Sequence, residues 1–325
     1  MMYVLTTSLA DLVLPEQYTR RESIVTVGAF DGIHLGHQAL IGGLVARARE
    51  EGRVAGLVTF YPHPLAVLRP DRPAQYLTTP GEKAALLEPL GLDWMVVVLF
   101  TPQLAQMPAR AFVQALVQRL RMHVLWVGPD FALGRDRAGD LPTLRELGRE
   151  MGFEVYEVPY YGRDSTKVSS THIRTLVRRG HVEEAARLLG RRYSVSGEVV
   201  HGAHRGRCLG YPTANLDVHP DRVVPANGIY ATFACLGSER RDSVTSIGIR
   251  PTFDGGERRI ETYLLDYRGD LYGHDLVVEF VARLRPEKRF ADVEALVAQI
   301  DRDVAQTREI LGACCDAVAE CPSTS

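Results

Sequence analysis

Between residue 24 and about residue 158, short continuous apolar runs alternate with longer stretches of helical period. The runs cover 24–28, 54–60, 94–99, 124–128 and 153–158, and the helical patterns cover 37–50, 81–90, 109–121 and 141–151. In the first of these, Leu40, Ile41, Leu44, Val45 and Ala48 fall on one helical face. Strands buried on both faces read as unbroken hydrophobic runs, not as alternation. Strands alternating with helices predict an α/β domain with a doubly wound parallel sheet. Such a sheet binds ligands at the carboxyl ends of its strands, beside the point where strand order reverses.

The pattern changes after residue 190. Two short helical stretches, 171–180 and 182–189, end at Gly180 and Gly190, the expected C-terminal stops. Extended runs follow at 193–200, 229–236, 242–249, 259–266 and 276–284, separated by turns rich in Gly, Pro, Asn and Asp. Several short strands with turn signals predict a small antiparallel β-barrel. A closing helix carries Val293, Val297, Ile300, Val304 and Leu311 on one face and is expected to pack on that barrel. The predicted domains are 1–186 and 187–325, with a frayed tail after Cys315.

Length and charge narrow the picture. At 325 residues, two cores are expected instead of one. A formal net charge of -2 argues against a broad basic surface for nucleic acid. No apolar run approaches the ~20 residues of a membrane span. The first fourteen residues lack the basic region of a signal peptide. The five cysteines, Cys208, Cys235, Cys314, Cys315 and Cys321, are odd in number and show no zinc-site spacing. These features predict a reduced, cytoplasmic protein, and we expect a monomer or weak homo-oligomer that engages no nucleic acid and no membrane.

Candidate chemistry collects at the ends of the predicted strands. After the first comes Gly28-Ala29-Phe30-Asp31-Gly32-Ile33-His34-Leu35-Gly36-His37. A glycine-rich turn entering a helix presents bare N–H groups and a favourable dipole to phosphate. Two histidines three residues apart there are compatible with phosphate, with a metal or with plain capping. After the second strand lies Thr59-Phe60-Tyr61-Pro62-His63-Pro64, after the fourth Asp130-Phe131-Ala132-Leu133-Gly134, and after the fifth Lys167-Val168-Ser169-Ser170-Thr171-His172-Ile173-Arg174. Neither GxxxxGK[ST] nor GxGxxG occurs, which excludes the usual P-loop and dinucleotide signatures.

The second half carries Gly202-Ala203-His204-Arg205-Gly206-Arg207-Cys208-Leu209-Gly210-Tyr211-Pro212-Thr213-Ala214-Asn215. A basic, glycine-rich loop suits either a solvated hairpin or a phosphate-holding flap. The hydroxyl of Thr213 and the amide oxygen of Asn215 are hard oxygen donors of the kind Mg²⁺ prefers. Glu261, in an extended run with Tyr263 and Leu265, is either a solvent-facing acid or a base for an attacking hydroxyl.

These motifs resemble those of bacterial bifunctional riboflavin kinase/FAD synthetases. His34-Leu35-Gly36-His37 is similar to the HxGH signature of nucleotidyltransferases. The Thr59–Pro64, Asp130–Gly134 and Ser169–Arg174 stretches follow in that family's order. Gly210-x-Pro212-Thr213-Ala214-Asn215, Pro225-x-x-Gly228-Ile229-Tyr230, Gly248-x-Arg250-Pro251-Thr252-Phe253 and Asp270-Leu271-Tyr272-Gly273 resemble its riboflavin kinase half. Ala29 stands where Asn is frequent, and Leu133 where Phe is.

The resemblance implies a Rossmann-like nucleotidyltransferase domain followed by a barrel kinase domain. It implies conversion of riboflavin and ATP to FMN, then of FMN and a second ATP to FAD. In the first domain, His34 and His37 would be catalytic, and Gly28, Phe30, Asp31, Gly36, Asp130, Lys167, Ser170, Thr171 and Arg174 would bind ATP. His63 would touch the flavin. In the second, Glu261 would be the catalytic base, Gly202, Arg205, Gly206, Gly210 and Pro212 would bind ATP, and Thr213 and Asn215 would hold Mg²⁺.

Overall fold

The structure, a computed structural model, describes residues 1–71, 75–160, 168–202, 210–250 and 257–313, without the side chains of Arg250 and Glu257. Its contacts divide the chain into two compact units, Met1–Ser169 and Ser170–Ser325. The pair of short helices at 170–189 therefore groups with the second unit.

The first unit runs β1 (Tyr3–Thr7), α1 (Glu16–Thr19), β2 (Ser23–Val27), α2 (Leu35–Glu50), β3 (Val54–Tyr61), α3 (Pro64–Leu68), α4 (Pro80–Leu87), β4 (Trp94–Leu99), α5 (Pro102–Ala105), α6 (Ala109–Leu120), β5 (Met122–Val127), α7 (Leu141–Met151) and β6 (Glu154–Glu157). The six strands form one sheet in the order β1-β4-β3-β2-β5-β6, and every pairing is parallel. The expected five strands are present, joined by the edge strand β1. Ile41, Leu44 and Ala48 of α2 and Leu87 of α4 pack with Ile24, Leu57 and Val124 in one core. Phe112, Val113 and Leu116 of α6 and Leu144 and Leu147 of α7 pack with Val25, Val58 and Leu125 in another. The sheet is therefore covered on both faces. The chain leaves β2 toward β3 through α2 on one face and reaches β5 through α6 on the other. The reversal of strand order lies between β2 and β5, where a ligand site is expected.

Two aromatic placements shape this unit. Gly56 of β3 lies in register with Trp94 of β4, and a Cβ on Gly56 would come within 2.0 Å of the indole. Only glycine leaves room for that buried ring. Trp126 stacks on Tyr156 with centroids 4.0 Å apart, and the Arg47 guanidinium lies 5.2 Å from the Tyr156 centroid.

The second unit contains α8 (Ser170–Arg179), α9 (Val182–Leu189), β7 (Tyr193–Val200), β8 (Ala214–Val218), β9 (Gly228–Leu236), β10 (Glu239–Arg250), β11 (Glu257–Leu264), β12 (Asp275–Arg285) and α10 (Val293–Gly312). The strands close into a barrel in the order β10-β11-β8-β7-β12-β9, antiparallel throughout. The expected strands are joined by β8, which follows the Pro212-Thr213 turn. Closure removes exposed sheet edges. Tyr230, Phe280, Val195 and Val278 are fully buried. So are the hydroxyls of Thr232, Ser243, Thr245 and Thr262, which bond to one another at 2.8–3.0 Å and so offset their desolvation. Leu311 of α10 packs on Ala231 and Phe233 of β9. Asp292 caps that helix by accepting from the Ala295 N–H at 2.7 Å. The buried carboxylate of Asp303 accepts from Arg285 at 2.6 Å and pins α10 to β12.

Candidate active sites

The turn leaving β2 is tightly wound. Phe30, Gly32 and Ile33 all have positive φ, at 44°, 81° and 38°. Left-handed backbone costs energy at a side-chain-bearing residue. The buried side chains of Phe30 and Ile33, both set in the core, compensate for it. The Phe30 ring folds back over Gly28, where a Cβ would sit 3.0 Å from it. His34 is the N-cap of α2, its Nδ1 accepting from the His37 N–H at 3.3 Å. That bond leaves the imidazole proton on Nε2. The His34 and His37 rings stack with centroids 3.6 Å apart and planes 18° apart. Gly36 lies in the first turn of α2 and brings no side chain to the helix head. Burial, then the neighbouring His34 and Lys83, hold His37 well below the usual histidine pKa of 6.5, so its ring is neutral at pH 7. Its Nδ1 is buried without a hydrogen-bond partner.

The turn is held from below. The Asp31 carboxylate, 2% exposed, accepts from the N–H groups of Leu77 (2.9 Å) and Thr78 (3.1 Å) and from the Thr78 hydroxyl (3.2 Å). It thus ties the turn to the segment entering α4. Lys83, on the inner face of α4, is only 7% exposed. Its Nζ donates to the Ala29 carbonyl at 2.7 Å and to Thr59 Oγ1 at 2.9 Å. Thr59 donates in turn to the same carbonyl at 3.0 Å. Burial pushes the Lys83 pKa down to about 8, against an upward pull from Asp31. Because residue 29 acts here through its carbonyl, alanine can stand where the family often has asparagine.

Sequence reasoning passed over Lys83. The signal was a lysine one helical turn before Leu87, which put a charge on the apolar face of α4.

The other expected residues of this site fall on several separate segments. His63 caps α3, its Nδ1 accepting from Leu65 N–H at 3.1 Å, and its ring faces Tyr76 at 6.3 Å. Beside it Leu65 and Leu68 are 54% and 56% exposed, an apolar rim on the α3 segment. Asp130, exposed beyond β5, lines an open cleft with Phe131, Arg137 and Asp140. Arg137 donates to its carbonyl at 2.9 Å. Gly134 has φ 76°, and a Cβ there would meet the Ala109 backbone at 2.6 Å. Ser170, Thr171 and Arg174 open α8 in the second unit. Lys167 lies outside the described residues.

In the barrel, strand register assembles the second constellation. Asn215 of β8 is the direct partner of Glu261 on β11 and of Val200 on β7. Directly opposed residues of an antiparallel pair present their side chains on one face, about 5 Å apart. Thr213 precedes β8 and lines, with Pro212 and Asn215, a cleft of about 530 Å³ that Tyr267, Asp270 and Tyr272 also line. The Tyr272 ring lies 3.9 Å from that of His201. Among the described residues the buried Asn215 Oδ1 has no hydrogen-bond partner, an acceptor the fold leaves unsatisfied. Gly202 packs against this amide, since a Cβ there would fall 2.2 Å from Asn215 Nδ2.

Gly210, with φ 86°, leads into Tyr211. The Tyr211 hydroxyl donates to Asp301 of α10 and is pushed up to about 12 mainly by that bond. Arg205 and Gly206 lie outside the described residues, as do most of the flap and residues 251–256.

The comparisons with known proteins divide along the same line. The FAD synthetase family model matches residues 16–172 and the riboflavin kinase model residues 189–311. A bifunctional riboflavin kinase/FMN adenylyltransferase of Listeria monocytogenes is 36% identical over 298 residues, covering 91% of this chain and 95% of the relative. Its counterpart in Escherichia coli is 36% identical over 291 residues, covering 89% and 93%. A crystal structure from Streptococcus pneumoniae, bearing the name macrolide-efflux protein, matches with a TM-score of 0.86 at 31% identity over 94% of this chain and 99% of its own. Among the described residues of the present chain no helix is long and apolar enough to cross a membrane.

Proposed function

This chain belongs to the family of bifunctional riboflavin kinase/FMN adenylyltransferases, and from that premise we propose which of its residues carry each reaction. The enzyme phosphorylates riboflavin with ATP to give FMN. It then transfers AMP from a second ATP to FMN, giving FAD and pyrophosphate.

In the kinase reaction Glu261 is the general base. It takes the proton of the riboflavin 5′-hydroxyl as that oxygen attacks the γ-phosphorus of ATP, and ADP leaves. Thr213 Oγ1 and the open Asn215 Oδ1 would hold Mg²⁺, whose charge would offset that of the phosphates. Pro212 lines the cleft and Gly202 packs on the Asn215 amide; these two and Gly210 are assigned to the nucleotide, and Arg205 and Gly206 to the phosphates, on the motif. The observation that carries this reading is the unpartnered oxygen of Asn215, the residue directly across from Glu261 in the β8–β11 register.

In adenylyl transfer a phosphate oxygen of FMN attacks the α-phosphorus of ATP, and the bond to the β-phosphate breaks. Little covalent work falls to the protein, so positioning and charge stabilisation dominate. His34 and His37 donate N–H bonds to the phosphate oxygens, aided by the bare N–H groups at the start of α2. Gly28, Phe30 and Gly36 shape the cradle, and Asp31 holds its form through Leu77 and Thr78. His63 and the exposed Leu65 and Leu68 offer an aromatic and apolar rim for the flavin ring. Asp130 is assigned to the nucleotide. Lys167, Ser170, Thr171 and Arg174 are assigned to the terminal phosphates on motif resemblance. The cytoplasm, as the reduced compartment that suits an odd set of thiols, is the proposed location, and a monomer or weak homo-oligomer the proposed state.

One incubation tests the whole scheme. Purified protein with riboflavin and MgATP should yield both FMN and FAD by chromatography. FMN alone would remove the adenylyl-transfer assignment, and bound but unconverted flavin would overturn both.

A further inference from the structure

Lys83 is a buried charge to which the chemistry above gives no part. From α4 its ammonium reaches the Ala29 carbonyl beyond β2 and Thr59 Oγ1 near the end of β3, at 2.7 and 2.9 Å. One group thus fastens two neighbouring strands where the histidine turn begins. Both acceptors are neutral. Among the described residues no ion pair joins Lys83 to a carboxylate, and the oxygens of Asp31, the acid that influences it, are bonded to Leu77 and Thr78. Burying an ammonium whose neighbouring carboxylate acts on it only through space, being bonded elsewhere, is costly. A neutral donor such as glutamine would serve as a clamp at lower cost. The retained charge therefore points to an anion that arrives from outside.

We propose that Lys83 is a positioning residue of the adenylyl-transfer site, locking the ends of β2 and β3 beneath the histidine pair and setting there a positive charge that is balanced when the ATP phosphates enter the turn. The proposal rests on the reading of that turn as the triphosphate site. Among the described residues the titratable groups facing His37 are His34, from the head of α2, and Lys83, from α4; both disfavour a charged imidazole. Lys83 thereby adds to burial and to His34 in keeping His37 a neutral donor in the free enzyme, and incoming phosphate relieves its share of that restraint.

The test uses the full-length enzyme with Lys83→Met, Lys83→Gln and, in parallel, His37→Ala. Riboflavin phosphorylation and FMN adenylylation are assayed separately. The His37 imidazole is titrated by NMR, its resonance assigned from its loss in His37→Ala. Lys83→Gln keeps a donor but not the charge. Both Lys83 variants should raise the ATP KM of adenylylation ~tenfold or more, leave riboflavin phosphorylation unchanged and move the His37 titration upward. Support requires both the KM and the titration change. A raised KM with an unmoved His37 titration marks a merely structural clamp, and a moved titration with an unchanged KM removes the phosphate; either overturns the proposal. If Lys83→Met fails to fold, Lys83→Gln decides. Wild-type adenylylation by His37→Ala would refute the site reading itself, and the Lys83 proposal would fall with it.

Discussion

In the first unit the histidine pair hangs on a turn whose backbone enters the left-handed region three times in four residues. In the barrel, Asn215 and Glu261 need only stand opposite each other on two paired strands. The turn is an irregular shape that must be held: its own Asp31 reaches out to Leu77 and Thr78, and Thr59, Thr78 and Lys83 bond to it from three separate segments. The barrel pair is held by the ladder hydrogen bonds of the fold itself. A site built on a turn depends on buried polar groups that do no chemistry. A site built on register depends on little beyond the strands, and its weak point is the space around the reacting groups, as at Gly202.

This contrast can be broken or sharpened by experiment. Glu261→Gln should lower FMN formation by about 10³-fold or more, the upper range for loss of a positioned base. Adenylylation of added FMN should persist, and separate assays of the two products check it. Loss of both activities would mean that the units are not independent in function. His37→Ala should cut FAD formation by ~10²-fold or more while leaving riboflavin phosphorylation intact.

Gly202→Ala forces a methyl against the Asn215 amide and should slow the kinase about tenfold or more through misplacement alone. The readout is kcat/KM for MgATP. An unchanged value would show that Asn215 does not hold the phosphate side of the cleft.

The smallest effect is on stability against pH. His37 binds its proton more weakly in the folded state than in the unfolded one, so the unfolded chain gains protons first as pH falls below 6.5. The first unit should lose stability on acidification from that point until the lowered folded pKa is passed. Lys83, at about 8 against an ordinary 10.5, has the same sign: its unit gains stability as pH rises from about 8 to 10.5, by at most ~1.4 kcal/mol per pH unit. Hydrogen exchange at β2 and β3 amides, with Lys83→Met flattening the alkaline slope, checks this.

Most of the fold was legible because both periodicities are strong. The four inner strands of the parallel sheet, β2 to β5, are continuous apolar runs, and those of the barrel lie between clear turns. The elements that went unread are short. β1, Tyr3–Thr7, is an edge strand of alternating burial, and β8, Ala214–Val218, begins inside a motif that reads first as chemistry. The candidate residues are visible as motifs, but the groups that hold them are not. Nothing local marks Asp31 as a partner of Leu77 and Thr78, some 46 residues away, or Lys83 as a partner of Ala29, 54 residues away. Long-range hydrogen bonds leave no period in a sequence. Gly202 reads in sequence as part of a phosphate flap, and the packing that a Cβ there would disturb, against the Asn215 amide, leaves no mark in the sequence.

Trp94, wedged over Gly56, and Trp126, stacked on Tyr156, are the two tryptophans of the chain, and both lie in the first unit. Indole emission is therefore a private signal of the parallel sheet, while the barrel reports only through its tyrosines. Under denaturant, a single transition shared by indole emission and far-ultraviolet ellipticity would mean that the two units melt as one cooperative body. An ellipticity step invisible to the indoles would be the barrel unfolding alone. The same channel reads the adenylyl-transfer half by itself when FMN is added, since a flavin bound near Trp126 would quench its light by energy transfer.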